Sequence, residues 1–296
     1  MATKYIQQLY QQIVQKLNQV KTEDSSLVAL FIIEFVFSDK YLKLLSKSVQ
    51  VQYDQYVKIV EITDQFISGV PLAYLLNQVT FRKNIYYIEE GVLIPRPETE
   101  EMVDYIIPMI NQLLSFDTSL SILELGVGSG IISIELAKTF SNLNFKAFDI
   151  SKKAIEIATK NKSQLSVTNL TLHYGDFFDH ISTLDLSGLT VLVSNPPYIS
   201  ETDYTSLDQY VLKEPKEALV AQNNGLDIIF RSLNFCIQHS IIYIAEIGIL
   251  QSKDIQGSFP AVNFLNDING VSRFVVYVPE HFSWSIKFKA FLSQLS

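Results

Sequence analysis

Cysteine is almost missing: Cys236 stands alone among 296 residues. One thiol excludes an internal disulfide framework and any multi-cysteine metal site, and it points to a reducing, cytoplasmic compartment. Cys236 itself reads as core filler. Glycine (11) and proline (9) are too few for a collagen-like or low-complexity chain. Positive charge is short as well. Lys and Arg number 23 against 31 Asp and Glu, a net charge of −8, which argues against a broad basic face for sequence-independent nucleic-acid binding. Long apolar runs are lacking: the longest, Leu27 to Phe37, is interrupted by Glu34 and falls short of the ~20 residues that span a bilayer. Residues 1–8 are polar and carry neither the basic nor the apolar region of a secretory signal. His173, His180, His239 and His281 show no spacing that points to a metal or a catalytic triad, so no metal is expected.

What is present is core-forming material, 48% hydrophobic against 18% charged, over a length that leaves room for two domains. Ile6, Leu9, Ile13 and Leu17 recur at helical spacing and predict an amphipathic first helix. Ser25 and Ser26 are candidate caps for the apolar run, and Ser38 and Asp39 for Tyr41 to Leu45. Val57, Val60 and Ile67 mark a fourth segment that stops at Gly69 and Pro71. Residues 1 to about 75 thus predict a small helical bundle. Phe81, Ile85, Tyr87, Val92 and Ile94 are β-formers, with Gly91 as a turn, and predict a linking hairpin.

From about residue 100, strands and helices alternate, the pattern of a parallel sheet wrapped by helices. Strands are predicted at Ser121 to Leu125, Phe145 to Ile150, Leu170 to Tyr174, Leu189 to Ser194 and Ile241 to Ile247. Ala261 to Leu265 and Arg273 to Val278 predict an antiparallel pair.

The first of these strands runs into Glu124-Leu-Gly126-Val-Gly128-Ser-Gly130, which opens a helix at Ile131. Glycines let the backbone turn sharply and approach a ligand, while the helix start supplies free N–H groups. The spacing is G-x-G-x-G instead of the dinucleotide G-x-G-x-x-G, which suits a phosphate-free nucleoside. Asp149 ends the second strand, where a carboxylate can accept from both ribose hydroxyls. Asp176 and Phe177 follow the third, where an acid can meet an adenine amino group and a ring can stack.

Asn195-Pro196-Pro197-Tyr198 follows the fourth strand. The double proline cannot extend the ladder and holds Asn195 in rigid extended geometry. The Asn195 amide oxygen and the Pro196 carbonyl can then accept two hydrogen bonds from one planar NH₂, with Tyr198 stacked on its plane. An amide nitrogen is a poor nucleophile. Fixing it in line with a methyl donor makes catalysis a matter of positioning and electrostatics.

These segments resemble one family, the S-adenosylmethionine-dependent methyltransferases of the HemK/PrmC type, which modify the glutamine of the Gly-Gly-Gln motif in bacterial peptide-chain release factors. The resemblance also includes Val92 to Glu100, Gly175 to Phe178, Glu214-Pro215 with Ala218-Leu219, Glu246-Ile-Gly248, Asp267 and Arg273. It implies an α/β fold with three parts: a helical N-terminal domain over 1–75 for substrate recognition, a β-hairpin linker over 76–98, and a Rossmann-like seven-stranded methyltransferase domain over 99–296. It implies S-adenosylmethionine as cofactor, held by Glu124, Gly126, Val127, Gly128, Ser129, Gly130, Asp149, Asp176, Phe177 and Asn195. Asn195, Pro196, Pro197 and Tyr198 would grip the glutamine. The implied partners are release factors, with no membrane and no sequence-specific nucleic acid.

Two relatives of that family share parts of the pattern. A group acting on a glutamine of a large-subunit ribosomal protein carries Pro-Arg-Ser-Pro where this chain has Pro95-Arg96-Pro97-Glu98. DNA adenine amino methyltransferases share Asn-Pro-Pro-Tyr but need a basic cleft and a target-recognition region, and the stretch from Tyr198 to Leu226 is short for one. A non-catalytic binding module need not keep the Asn195 to Tyr198 grip. Three glycine positions of the family are occupied otherwise, by Asn77, by Gln222-Asn223-Asn224 and by Gln238-His239-Ser240, all expected in loops away from the chemistry. The aromatic tail from Glu280 to Ser296 predicts a packed terminal helix, with a partner surface as the alternative.

Overall fold

The computed structural model describes residues 5–20, 24–47, 49–117, 119–181, 184–186 and 188–295; half of the polar start, residues 1–4, lies outside them. Two compact units result, residues 1–78 with 209–213, and residues 79–208 with 214–296.

In the first unit, helical spacing of apolar residues gives each helix one stripe to bury. α1 (Ile6–Leu17) buries Ile6, Leu9, Ile13 and Leu17. They pack with α2 (Ser25–Phe37), α3 (Tyr41–Ser46), α4 (Tyr53–Ile67) and α5 (Leu72–Leu76) around Ile32, Ile33 and Ile59. The caps differ from expectation. Asp24, not Ser25 or Ser26, caps α2 by accepting from the Leu27 N–H at 2.9 Å, because Ser25 already lies inside the helix and is buried. Ser38 ends α2 in a left-handed conformation instead of starting α3, whose Tyr41 N–H is taken by Glu34. Tyr210, from the returning segment 209–213, stacks on Phe66 with ring centres 4.9 Å apart.

The second unit carries the hairpin β1 (Gln78–Phe81) and β2 (Asn84–Tyr87). Its reversal falls at Arg82 and Lys83, not at Gly91. Arg82 takes a left-handed φ of 52°, held by its N–H on Glu100 at 3.1 Å and its guanidinium on Asp104 and Glu135. Fully buried Asn161 accepts from Tyr87 N–H at 2.7 Å and donates to Tyr87 O and Ser129 O. One amide thereby ties hairpin to glycine loop.

α6 (Pro97–Leu114) starts on Pro97 and turns Thr99, Met102, Val103, Ile106, Met109, Ile110 and Leu113 inward. The strands are β3 (Leu120–Leu125), β4 (Asn144–Asp149), β5 (Leu170–Tyr174), β6 (Leu189–Ser194), β7 (Ile242–Glu246), β8 (Val262–Asn266) and β9 (Ser272–Tyr277). They form one seven-stranded sheet in the order β5-β4-β3-β6-β7-β9-β8, with β9 antiparallel to both neighbours. The connecting helices are α7 (Ile131–Thr139), α8 (Lys152–Gln164), α9 (Glu201–Tyr204), α10 (Gln222–Gly225), α11 (Asp227–His239) and α12 (Ser252–Ser258), followed by α13 (Ser285–Leu295). This is the seven-stranded, Rossmann-like α/β fold expected from the sequence. Strand order reverses between β3 and β6, the place where open α/β sheets bind ligands. Every residue of β6 and β7 is buried.

The tail packs. Phe288 and Leu292 of α13 are buried, and the Trp284 ring stacks on Phe282 (4.7 Å) and Phe116 (5.4 Å). Asn77, Asn223, Asn224 and Ser240 adopt φ values of 50°, 53°, 54° and 58°. The residues at the family's glycine positions thus keep a glycine-like backbone, which asparagine tolerates better than most side chains. No helix among the described residues is long and apolar enough to cross a membrane.

Candidate active site

The loops leaving β3, β4, β5 and β6 meet around a cavity of about 510 Å³. Glu124, Gly126, Val127, Gly128 and Ser129 line it after β3, Asp149 after β4, Asp176 and Phe177 after β5, and Asn195 and Pro197 after β6. Gly130, Pro196 and Tyr198 are not among its lining residues; Gly130 sits behind the loop as the N-cap of α7. A Cβ on Gly126 (φ 77°) or Gly128 (φ 52°) would meet no atom within 4 Å. The loop therefore fronts open space with bare main chain, a cradle that side chains would fill.

Asp149 shapes this cradle. Its Oδ2 accepts from the Gly128 N–H at 2.9 Å and its Oδ1 from the Ser151 N–H at 2.8 Å. Burial raises the pKa of its carboxyl, and those two N–H groups pull it back. Ser151, not Asp149, caps α8, accepting from Ala154 N–H. Asp176 accepts from Phe178 N–H at 2.9 Å and lies 3.7 Å from Arg231, whose guanidinium covers the Phe178 ring at 4.2 Å. Phe177 is buried edge-on to Phe148 and Phe235. Glu124 is buried with its Oε2 accepting from the Ser133 N–H and hydroxyl, and burial pushes its carboxyl up to about 8. Four carboxyls, those of Glu124, Asp149, Asp176 and Glu217, on a largely apolar wall suit a ligand rich in hydroxyl and ammonium donors.

Asn195 is set by residues far along the chain. Its Nδ2 donates to Thr99 Oγ1 at 3.1 Å, and Thr99 donates to Glu246 Oε2 at 3.1 Å. Glu246 Oε1 accepts from the Tyr198 hydroxyl at 2.9 Å and from Arg273 at 3.3 Å. The Tyr198 hydroxyl is thereby tethered, with its pKa raised by burial and the adjacent Glu246. Gln251 donates to Tyr198 O at 2.9 Å and to Asn224 O at 3.2 Å. The 222–225 loop therefore braces the Asn-Pro-Pro-Tyr segment, contrary to the expectation that it lies away from the chemistry.

A strap from Gly91 to Pro95 closes another side of the cavity. Buried Glu214 fastens it, accepting from Ile94 N–H at 2.9 Å and pairing with Arg96. Sequence reasoning gives Thr99, Glu214, Glu246 and Arg273 no role beyond their motifs, because their partners are remote in sequence.

Comparison with known proteins gives three findings. A family model described as a methyltransferase domain matches residues 116–252. A release factor glutamine methyltransferase from Bacillus anthracis is 35% identical over 246 residues, covering 78% of this chain and 84% of the relative; one from Lactococcus lactis subsp. lactis is 33% identical over 275 residues, covering 86% and 97%. Among solved structures, the hMettl16 catalytic domain in complex with MAT2A 3'UTR hairpin 1 aligns with a TM-score of 0.53 over 84% of this chain and 91% of that one. Their identity is 13%, so the likeness is one of fold.

Proposed function

The chain belongs to the release factor glutamine methyltransferase family, and on that premise we propose that it methylates the side-chain amide nitrogen of the Gly-Gly-Gln glutamine in peptide-chain release factors, using S-adenosylmethionine, in support of translation termination in the cytoplasm. One observation supports the reading above others: the glycine cradle, Asp149 and Asn195 line a single cavity at the point where strand order reverses.

The bound donor would lie along Gly126 to Ser129, with its ribose on Asp149 and its base near Asp176 and Phe177, and it supplies an electrophilic methyl group on sulfur. Asn195 Oδ1 and the Pro196 carbonyl accept the two N–H groups of the glutamine. Held so, the nitrogen lone pair points at the methyl carbon, and the acceptors favour the positive charge that develops on nitrogen. As the N–C bond forms, the bond from that methyl to the donor's sulfur would break with its electron pair left on sulfur, and the proton shed by the nitrogen would pass to solvent, so no strong base is needed beforehand. Tyr198, tethered through its hydroxyl, gives the amide plane a fixed ring to lie on. Residues 1–75 recognise the protein substrate, since every proposed donor contact lies after Leu123.

The test is incubation of the full chain with purified release factors and labelled donor, followed by mass mapping of the modified peptide. Label on the Gly-Gly-Gln glutamine is expected. Asn195→Ala should lower single-turnover transfer ~10²-fold while donor affinity falls much less. Label confined to a ribosomal protein or to DNA adenine would overturn the reading.

A further inference from the structure

We propose that Thr99, Glu246 and Arg273 form a positioning relay that decides which end of the Asn195 amide faces the substrate glutamine. The inference rests on the proposed transfer to a glutamine amide.

The two ends of an asparagine amide have nearly the same shape and opposite polarity. Gripping an NH₂ group requires the oxygen end. Among the described residues no backbone group of the Asn-Pro-Pro-Tyr segment bonds the Asn195 amide, so the choice comes from what its other end touches. That neighbour is Thr99 Oγ1, 3.1 Å from Asn195 Nδ2. A hydroxyl has one proton to donate. If Thr99 gives its proton to Glu246 Oε2, also 3.1 Å away, it can only accept from Asn195, which must then present its NH₂ to Thr99 and its oxygen to the cavity.

The direction of the Thr99 hydroxyl therefore depends on Glu246 being an acceptor. Glu246 is completely buried, and its other oxygen accepts from Tyr198 and Arg273. Arg273 is 7% exposed and carries its charge at any working pH. A neutral Glu246 would leave that guanidinium buried without its ion-pair partner, an arrangement that is strongly unfavourable. Burial raises the pKa of the Glu246 carboxyl and Glu98 adds to the rise; the Arg273 charge, Tyr198 and Thr99 offset it only in part, and it is the ion pair to Arg273 at 3.3 Å that keeps Glu246 an acceptor. Charge at Arg273 thus fixes a carboxylate at Glu246, the carboxylate fixes the hydroxyl at Thr99, and the hydroxyl fixes the amide at Asn195. The four residues come from β9, β7, α6 and the loop after β6.

Near-isosteric substitutions separate this role from simple packing. Thr99→Val keeps the shape and removes the hydroxyl; Thr99→Ser restores it. Glu246→Gln can turn its own NH₂ toward Thr99, freeing the Thr99 proton to point at Asn195, whose amide then turns its NH₂ to the cavity. In the full chain, Thr99→Val should lower kcat for release-factor methylation ~10²-fold, with the donor Kd and the release-factor KM within about threefold of wild type. Thr99→Ser should recover at least about tenfold of that loss, and Glu246→Gln should lose kcat with Thr99→Val. The orientation is also read without substrate: selectively labelled wild type should show a nuclear Overhauser contact between the Asn195 amide protons and the Thr99 methyl, lost in Glu246→Gln. Thr99→Val within threefold of wild-type kcat, Thr99→Ser as impaired as Thr99→Val, or no such contact in wild type each overturns the relay. Wild type that leaves release factor unmodified overturns the functional reading instead, and the contact measurement still decides the relay. Should Glu246→Gln fail to fold by circular dichroism, the two Thr99 variants and the wild-type contact decide it.

Discussion

Replacing Asp149 by alanine removes a carboxylate with two kinds of work to do. Its oxygens accept from Gly128 N–H at 2.9 Å and Ser151 N–H at 2.8 Å, which leaves each oxygen a further lone pair. The residue lines the cavity, where those lone pairs are proposed to take the ribose hydroxyls. A hydrogen bond to a charged acceptor contributes about 1.5–3 kcal/mol. Affinity for S-adenosylmethionine should therefore fall ~10- to ~150-fold. The two orphaned N–H groups cost about 1 kcal/mol each in the free protein, which corresponds to a Tm lower by about 4–8 °C. Asp149→Asn keeps one carbonyl oxygen without the charge and should fall between wild type and alanine. Because burial raises the pKa of this carboxyl, the wild-type affinity should drop on acidification before an ordinary Asp would protonate. Titration calorimetry on the full chain, with thermal melts to confirm folding, measures both effects. A folded Asp149→Ala protein with Kd within about threefold of wild type would refute the ribose assignment, and a lowered Tm beside an unchanged Kd would mean that Asp149 serves only to tie the loop.

Glu124 should make the fold sensitive to pH. Its carboxyl is pushed up to about 8 by burial, so between its ordinary 4.5 and about 8 the folded chain holds a proton that the unfolded chain has lost. Stability should then fall as pH rises through that window, by up to ~1.4 kcal/mol per pH unit from this group. Urea melts should show Glu124→Gln flattening the slope, and identical slopes in both proteins would count against a raised pKa. At Gly225 (φ 81°) a Cβ would lie 2.0 Å from Tyr198 O, so Gly225→Ala should cost at least ~2 kcal/mol and displace the Asn-Pro-Pro-Tyr segment. A melt with Tm and kcat both at wild-type level would contradict that close approach. Ser240→Gly should relieve a left-handed serine (φ 58°) and stabilise the protein by ~0.5–1 kcal/mol; a lower Tm by scanning calorimetry would refute it.

The sheet was the most legible part of the chain, because buried strands read as β-branched runs that stop at turn residues. β5 and β6 begin and end where the pattern places them, β3 differs by one residue at its start, and β4, β7, β8 and β9 differ by one residue at each end. α6 was hidden by Pro108 inside it, although its buried positions keep helical spacing on either side. The hairpin turn was missed for another reason: its left-handed residue is Arg82, held by ion pairs to Asp104 and Glu135, and no glycine marks it. The same lesson applies where the family has glycine. Asn77, Asn223, Asn224 and Ser240 keep the backbone shape, so the loops are preserved in conformation and not in residue type.

The site divides along the same line. Residues that touch the cavity follow strand ends directly, so a local pattern of apolar run, then glycine, acid or Asn-Pro-Pro, is enough to find them. What orients them is not local. The contacts from Asn195 to Thr99 and from Thr99 to Glu246 join residues 96 and 147 positions apart; those from Tyr198 and Arg273 to Glu246 span 48 and 27. No short window of sequence holds both partners of any of these contacts, yet polarity at the methyl acceptor depends on all of them. Serving three donors at once also explains how the Glu246 carboxylate can be fully buried: Arg273 supplies the charge, and Tyr198 and Thr99 fill the remaining lone pairs. Removing one donor leaves a charge the interior cannot hydrate, so a change at Arg273 should be felt at Asn195, although Arg273 bonds to Tyr198 and Glu246 and Asn195 to Thr99.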